Sequence, residues 1–170
     1  MYYCPMPFEL NISQSLDDRD RQILALVQAD AKLPQAEIAR RVGLSTAAVH
    51  ERLKKLENAG IIRRYVALVD PQAVGASVTA YVEIFIEHPR YEAEFVMRVL
   101  ELDEVQECHH ITGEFSLLLK VRVAGMEALR ELLLQQLNVM KGVRQTRTIM
   151  VLSTAKEETF VPTGVKGRSA

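Results

Sequence analysis

Gln35-Ala36-Glu37-Ile38-Ala39-Arg40-Arg41-Val42-Gly43-Leu44-Ser45-Thr46-Ala47-Ala48-Val49-His50-Glu51-Arg52-Leu53-Lys54-Lys55-Leu56-Glu57-Asn58-Ala59-Gly60 decides how the first part of this chain folds. Ile38 and Val42 stand one helical turn apart, and Gly43-Leu44 then interrupts the pattern. Ser45 sits where an N-cap belongs, ahead of a run in which Val49, Leu53 and Leu56 fall on one face. Gly60 is placed to end that second helix. A short helix, a glycine turn and a capped amphipathic helix make the helix-turn-helix pattern. Pro34 is tolerated only at a helix start, so it separates this pair from an earlier helix. That earlier helix is capped by Ser15 or Asp17, opens on an acidic turn, and carries Ile23, Leu24 and Val27 inward.

Beyond residue 64 the hydrophobic period changes from helical to alternating. Val78, Ala80, Val82, Ile84 and Ile86 share one face of a strand. Residues 91–102 return to helical spacing through Phe95, Val96, Val99 and Leu100. Residues 105–111 and 115–123 read as strands joined by Thr112-Gly113-Glu114, a hairpin-length link. A helix over residues 126–137 and a strand over 143–152 follow. The order βαββαβ is the ferredoxin-like split βαβ unit. The fold class is therefore α+β, an N-terminal winged helix-turn-helix followed by a ferredoxin-like domain. The boundaries drawn from sequence are an N-terminal extension over 1–15, the helix-turn-helix over 16–64, a linker strand over 65–76 containing Asp70-Pro71 and Gly75, the ferredoxin-like domain over 77–156, and a polar tail over 157–170 expected to fray.

The whole chain of 170 residues carries 21 Lys+Arg against 22 Asp+Glu, which taken alone argues against a nucleic-acid partner. The charge is unevenly spread. Residues 1–64 hold ten basic and eight acidic side chains, whereas residues 35–64 alone hold seven basic and three acidic. A basic stretch ahead of an acidic body indicates two modules with different partners. Hydrophobic content of 48% excludes intrinsic disorder. The absence of a long apolar run and of a signal-peptide pattern leads to the expectation of a cytoplasmic protein with no membrane contact.

Once Val49, Leu53 and Leu56 are buried, the last helix of the first module presents Thr46, Ala47, His50, Glu51, Lys54 and Lys55 outward, with Arg52 to one side. Such a helix fits the major groove of double-stranded DNA, with Thr46, Ala47 and His50 nearest base edges, Arg52, Lys54 and Lys55 placed for phosphates, and Ser45 and Glu51 within the same DNA-binding surface. Arg63 and Arg64 follow on an expected wing strand. In the second module Cys108-His109-His110 raises a metal or redox reading, but alternation sends His109 to the opposite face from its neighbours. No metal, cofactor or catalytic residue is expected.

Leu16-Asp17-Asp18-Arg19-Asp20-Arg21-Gln22-Ile23-Leu24, Leu44-Ser45 through Arg52, Leu56 to Ile62, Asp70-Pro71 through Gly75, Ile111-Thr112-Gly113-Glu114-Phe115, and Arg147 to Leu152 with Lys156-Glu157 together resemble the Lrp/AsnC (feast/famine) family of transcriptional regulators. The resemblance implies dimers assembling into octamers or similar rings, and regulation by an amino-acid effector. It maps the effector site onto Thr112, Gly113, Glu114, Phe115 and Ser116, with Thr146 and Thr148 from the last strand. Ser116 stands where many members have Asp, which removes one carboxylate for the effector's ammonium. Sirohaem decarboxylases share this architecture and use histidines in the second module, so His109-His110 keeps an enzyme reading open. A DNA-architectural role without an effector is the other alternative.

Overall fold

The computed structural model describes residues 16–164. Ser15, the rest of the 1–15 extension and residues 165–170 lie outside the described residues. The chain divides into two compact units, residues 69–156 and residues 16–68 together with 157–164.

In the smaller unit, α1 spans Asp18–Ala29, α2 Gln35–Val42 and α3 Thr46–Asn58. Asp17 caps α1 in a reciprocal capping box. Its carboxylate accepts from the Asp20 amide at 2.7 Å, and the Asp20 carboxylate accepts from the Asp17 amide at 3.3 Å. Gly43 ends α2 at φ 67°, a left-handed conformation that an L side chain strains to adopt and that turns the chain sharply enough to start α3 three residues later. Ser45 Oγ accepts from the Ala48 amide at 3.2 Å to cap α3. Ile23, Leu24 and Val27 pack with Ile38, Val42, Val49, Leu53 and Leu56 into one sealed core. Full burial of a side chain such as Ile38 stabilises by about 1.5–3 kcal/mol.

The expected wing strand is not present. Residues 63–70 are exposed and belong to no described strand, and residues 71–75 form a turn, so the linker strand expected over 65–76 does not form either and Arg63 and Arg64 ride on an unpaired segment. A segment becomes a strand only when a neighbour takes up its amide and carbonyl groups. Tyr65 nonetheless anchors the segment by donating its hydroxyl to Glu57 Oε1 at 2.8 Å. Partial burial and that hydrogen bond push the phenol up to about 12.

The tail also departs from expectation. As far as residue 164 it docks on α1, with the Gln28 carboxamide donating to Val161 O at 3.1 Å and accepting from Val161 N at 2.8 Å. Arg21 Nη1 donates to Thr163 O at 3.0 Å. A glutamine amide thus reads one backbone unit of the tail as a neighbouring strand would.

The larger unit contains β1 (Val78–Ile86), α4 (Glu92–Val99, entered by a 3-10 turn), β2 (Val105–His110), β3 (Leu117–Val123), α5 (Met126–Glu131, continued by a π-helical turn over Leu132–Leu137) and β4 (Val143–Met150). The strands form one antiparallel sheet in the order β2-β3-β1-β4. Ala80, Val82, Ile84 and Ile86 on β1 alternate with Leu117, Leu119, Val121 and Val123 on β3 to build a core beneath Phe95, Val99, Leu129, Leu132 and Leu137 from the helices. Thr79, Tyr81, Glu83 and Phe85 occupy the other face of β1, which no helix of this unit covers.

Candidate functional site

The helix-turn-helix places its expected residues on one accessible edge. Ser45, Thr46, Ala47, His50, Glu51, Lys54 and Lys55 are exposed, and the thirteen-residue α3 is a rod of roughly 20 Å. Lys54 and Lys55 lie a turn and more beyond Thr46 and Ala47. The small polar end and the cationic end of the helix are thereby separated along its axis. Arg63 and Arg64 are exposed just after it.

Three of the seven basic side chains in residues 35–64 have other duties. Arg52, expected on the phosphate side, turns back onto α1 instead. Its Nη1 donates to Asp17 Oδ2 and Asp20 Oδ1, both at 2.7 Å, and Asp20 is buried. The reason is proximity: the capping box sets two carboxylates beside the inner flank of α3, and a half-buried guanidinium is drawn to them over water. Hydrogen bonds from the Asp20 amide and from Arg52 hold the Asp17 carboxyl below its ordinary range. Arg40 and Arg41 share Glu37 through contacts of 2.6 and 2.7 Å, and these bonds bring the Glu37 carboxyl down to about 2. Lys54, Lys55, Arg63 and Arg64 are exposed cations outside these pairs, and Arg40 and Arg41 keep 72% and 48% of their side chains in solvent despite theirs.

In the larger unit, residues 112–116 form the link between β2 and β3. Ile111 N donates to Ser116 O at 3.0 Å to close the loop, and Ser116 N donates to Ile84 O at 3.0 Å to tie it to the sheet. Gly113 takes φ 125° with open space around it, so the backbone conformation rather than crowding asks for glycine. Thr112, Gly113 and Glu114 are exposed, Ser116 is half-buried, and Phe115 turns inward to 4% exposure.

The two threonines of the last strand do not join this loop. Thr146 and Thr148 stand opposite Ile84 and Val82, on the helix-covered side, and Thr146 Oγ1 donates to Asn138 Oδ1 at 3.0 Å. The residue of β4 that does meet the loop lies between them. Arg147 stacks its guanidinium on the Phe115 ring with 4.8 Å to the centroid, and its Nε donates to Glu83 on β1. Arg147 holds the Glu83 carboxyl below its ordinary range. Sequence reasoning missed Arg147 and Glu83, whose only signal was opposite charge at one cross-strand register.

His109 and His110 reach different carboxylates. His109 Nε2 lies 3.1 Å from Glu107 Oε2, and His110 Nδ1 lies 2.6 Å from Glu92 Oε1 on α4. Cys108 is half-buried against the sheet core.

A helix-turn-helix with an open polar and cationic edge, followed by a separate sheet body with a glycine loop, defines a DNA-binding regulator of two-module build. Residues 16–63 match the winged helix-turn-helix DNA-binding model, and residues 79–161 match the Lrp/AsnC ligand binding domain. The chain is 40% identical over 146 residues to the leucine-responsive regulatory protein of Escherichia coli K12, covering 85% of this chain and 89% of that one. It is 36% identical over 148 residues to the HTH-type transcriptional regulator FL11 of Pyrococcus abyssi, covering 87% and 97%. Among solved structures, a transcriptional regulator of Neisseria meningitidis in complex with L-methionine superposes with a TM-score of 0.83 at 33% identity, covering 87% of this chain and 97% of that one. The chain belongs to the Lrp/AsnC family of transcriptional regulators. Among the described residues no helix is long and apolar enough to cross a membrane.

Proposed function

We propose that this chain is a sequence-specific transcriptional regulator that inserts α3 into the major groove of paired half-sites as a dimer, and that an amino acid bound at the 112–116 loop adjusts its activity or assembly. The observation that carries the DNA half is the cationic surface of residues 35–64: Arg52 is committed to the fold, Arg40 and Arg41 are paired with Glu37 but remain exposed, and Lys54, Lys55, Arg63 and Arg64 stand exposed around a helix whose N-terminal end offers Thr46, Ala47 and His50. Ser45 belongs to this interface through its cap and exposed position, and Glu51 lies on the same edge. The effector half is supported by the glycine loop and by the relative solved with L-methionine.

Self-association is supported by the uncovered sheet face, where Tyr81, Phe85 and Leu118 are only half-buried within one chain and Ile149 is exposed. We read the assembly as a dimer built further into an octamer or similar ring. We read the chain as a cytoplasmic regulator without an enzymatic role, a reading supported by relatives that are named transcriptional regulators. A mobility-shift titration on the DNA upstream of its own gene, repeated over a salt series and with amino acids added, tests both halves. Specific retardation that weakens steeply with salt is expected. Retardation of random DNA with equal affinity returns the architectural alternative, and its absence at low salt refutes the DNA reading.

A further inference from the structure

We propose that Glu37 is a built-in competitor of DNA phosphate: it occupies the guanidinium fork of Arg40 and so holds down the sequence-independent affinity of the reading head; this rests on the DNA reading above. Helical spacing brings Glu37, Arg40 and Arg41 onto one face of α2, away from Ile38 and Val42, which lie in the core. In a helix-turn-helix the helix ahead of the reading helix crosses the phosphate backbone, and α2 holds that place here. Among the described residues Arg40 and Arg41 find no carboxylate other than Glu37.

The two arginines are not held alike. Arg40 commits Nε to Glu37 Oε2 at 2.7 Å and Nη2 to Oε1 at 2.6 Å, a parallel two-bond grip. Arg41 gives Nε to Oε1 at 2.7 Å and keeps its two Nη groups for other acceptors. A guanidinium takes phosphate through the same forked edge and the same pair of bonds that it uses for carboxylate. Glu37 and a backbone phosphate therefore exclude one another from that edge of Arg40. Of the three side chains Arg40 is the most exposed and Glu37 the least, so the cation is presented to solvent with its counter-ion already in place. The Glu37 carboxyl, held down to about 2, is charged at every pH of a binding assay, and the neutralisation persists until a phosphate displaces it. Exposed pairs at this spacing are weak in water, so the exchange is reversible. Arg40, once released, adds a phosphate contact that carries no sequence information.

Mobility shifts of the full chain on a random-sequence duplex and on the DNA upstream of its own gene, each over a salt series, test this with the parent, Glu37→Gln and the double substitution Glu37→Gln/Arg40→Ala. Glu37→Gln should tighten binding to both DNAs by about threefold or more per subunit at low salt and steepen the salt slope by about 0.9 per subunit. Damage to the fold weakens binding, so a gain of this kind does not come from loss of structure. The double substitution should return both affinity and slope to the parent values, because it deletes a pair that neutralises itself. Equal slopes in the parent and Glu37→Gln overturn the role of Glu37. A double variant as steep as Glu37→Gln overturns the choice of Arg40, and a gain on one of the two DNAs alone overturns the assignment to phosphate. Each of those results leaves the DNA reading standing as long as the parent retards DNA in a salt-sensitive way. A parent that retards neither duplex at low salt overturns both.

Discussion

Replacing Arg52 by Ala separates a structural from a DNA-contacting role for the most ambiguous cation of the reading helix. Its guanidinium is shared at 2.7 Å by Asp17 and Asp20, and Asp20 is 4% exposed. Removal leaves the Asp20 carboxylate with the Asp17 amide at 3.3 Å. Breaking a sealed ion pair costs about 3–5 kcal/mol, and because Arg52 keeps 31% of its side chain in water a discounted value of about 2 kcal/mol is appropriate here. Half-exposed Asp17 is assigned nothing. For a unit of this size each kcal/mol moves the midpoint by about 4–8 °C, so the helix-turn-helix transition should fall by roughly 10 °C. Circular dichroism of the full chain reads this directly. Adding Asp20→Asn to Arg52→Ala should restore part of the loss, because an amide needs no counter-charge. A variant that melts with the parent but shows a salt slope of DNA binding shallower by about one unit per subunit would falsify the structural assignment and return Arg52 to the phosphate backbone.

Lys54→Ala should weaken binding to all DNA sequences alike and reduce the salt slope by about 0.9 per subunit, whereas His50→Ala should alter sequence preference at a constant slope; mobility shifts at several salt concentrations distinguish them. The Glu37 carboxyl, brought from 4.5 to about 2 by Arg40 and Arg41, favours the folded state above its unfolded value and loses that contribution as pH falls from 4.5 towards 2. A carboxyl-carbon NMR titration should find it still ionised at pH 3. Gln28→Ala removes both bonds to Val161 and should cost about 1 kcal/mol, with faster amide exchange along the tail. Unchanged exchange would show that the tail is held by other contacts.

The parts of the molecule governed by local pattern were legible from sequence. Val49, Leu53 and Leu56 fix which side of α3 is buried, Ser45 and Gly43 mark where it starts and α2 stops, and the alternation from Val78 to Ile86 defines the core face of β1. What escaped depends on partners far along the chain. Arg52 reads as a surface cation until α1 lays two carboxylates against it, and Arg147 reads as a spacer between Thr146 and Thr148 until β4 pairs with β1 and sets it opposite Glu83. The resemblance points to the threonines. Strand alternation alone says that they and Arg147 face opposite ways, but the side that carries the loop is decided by the β2-β3-β1-β4 order. Arg63 and Arg64 depended on a strand whose partner is not among the described residues.

The return of the tail to α1 makes the sheet body, in chain order, an insertion within the smaller unit. Residue 68 leaves that unit and residue 157 re-enters it. At about 5–20 residues per second, translation of the intervening segment takes on the order of ten seconds, and only afterwards is the segment that Gln28 and Arg21 hold available. A prematurely terminated chain therefore carries α1, α2 and α3 without their last backbone contacts. The wiring favours completed chains over fragments as carriers of a fully assembled reading head.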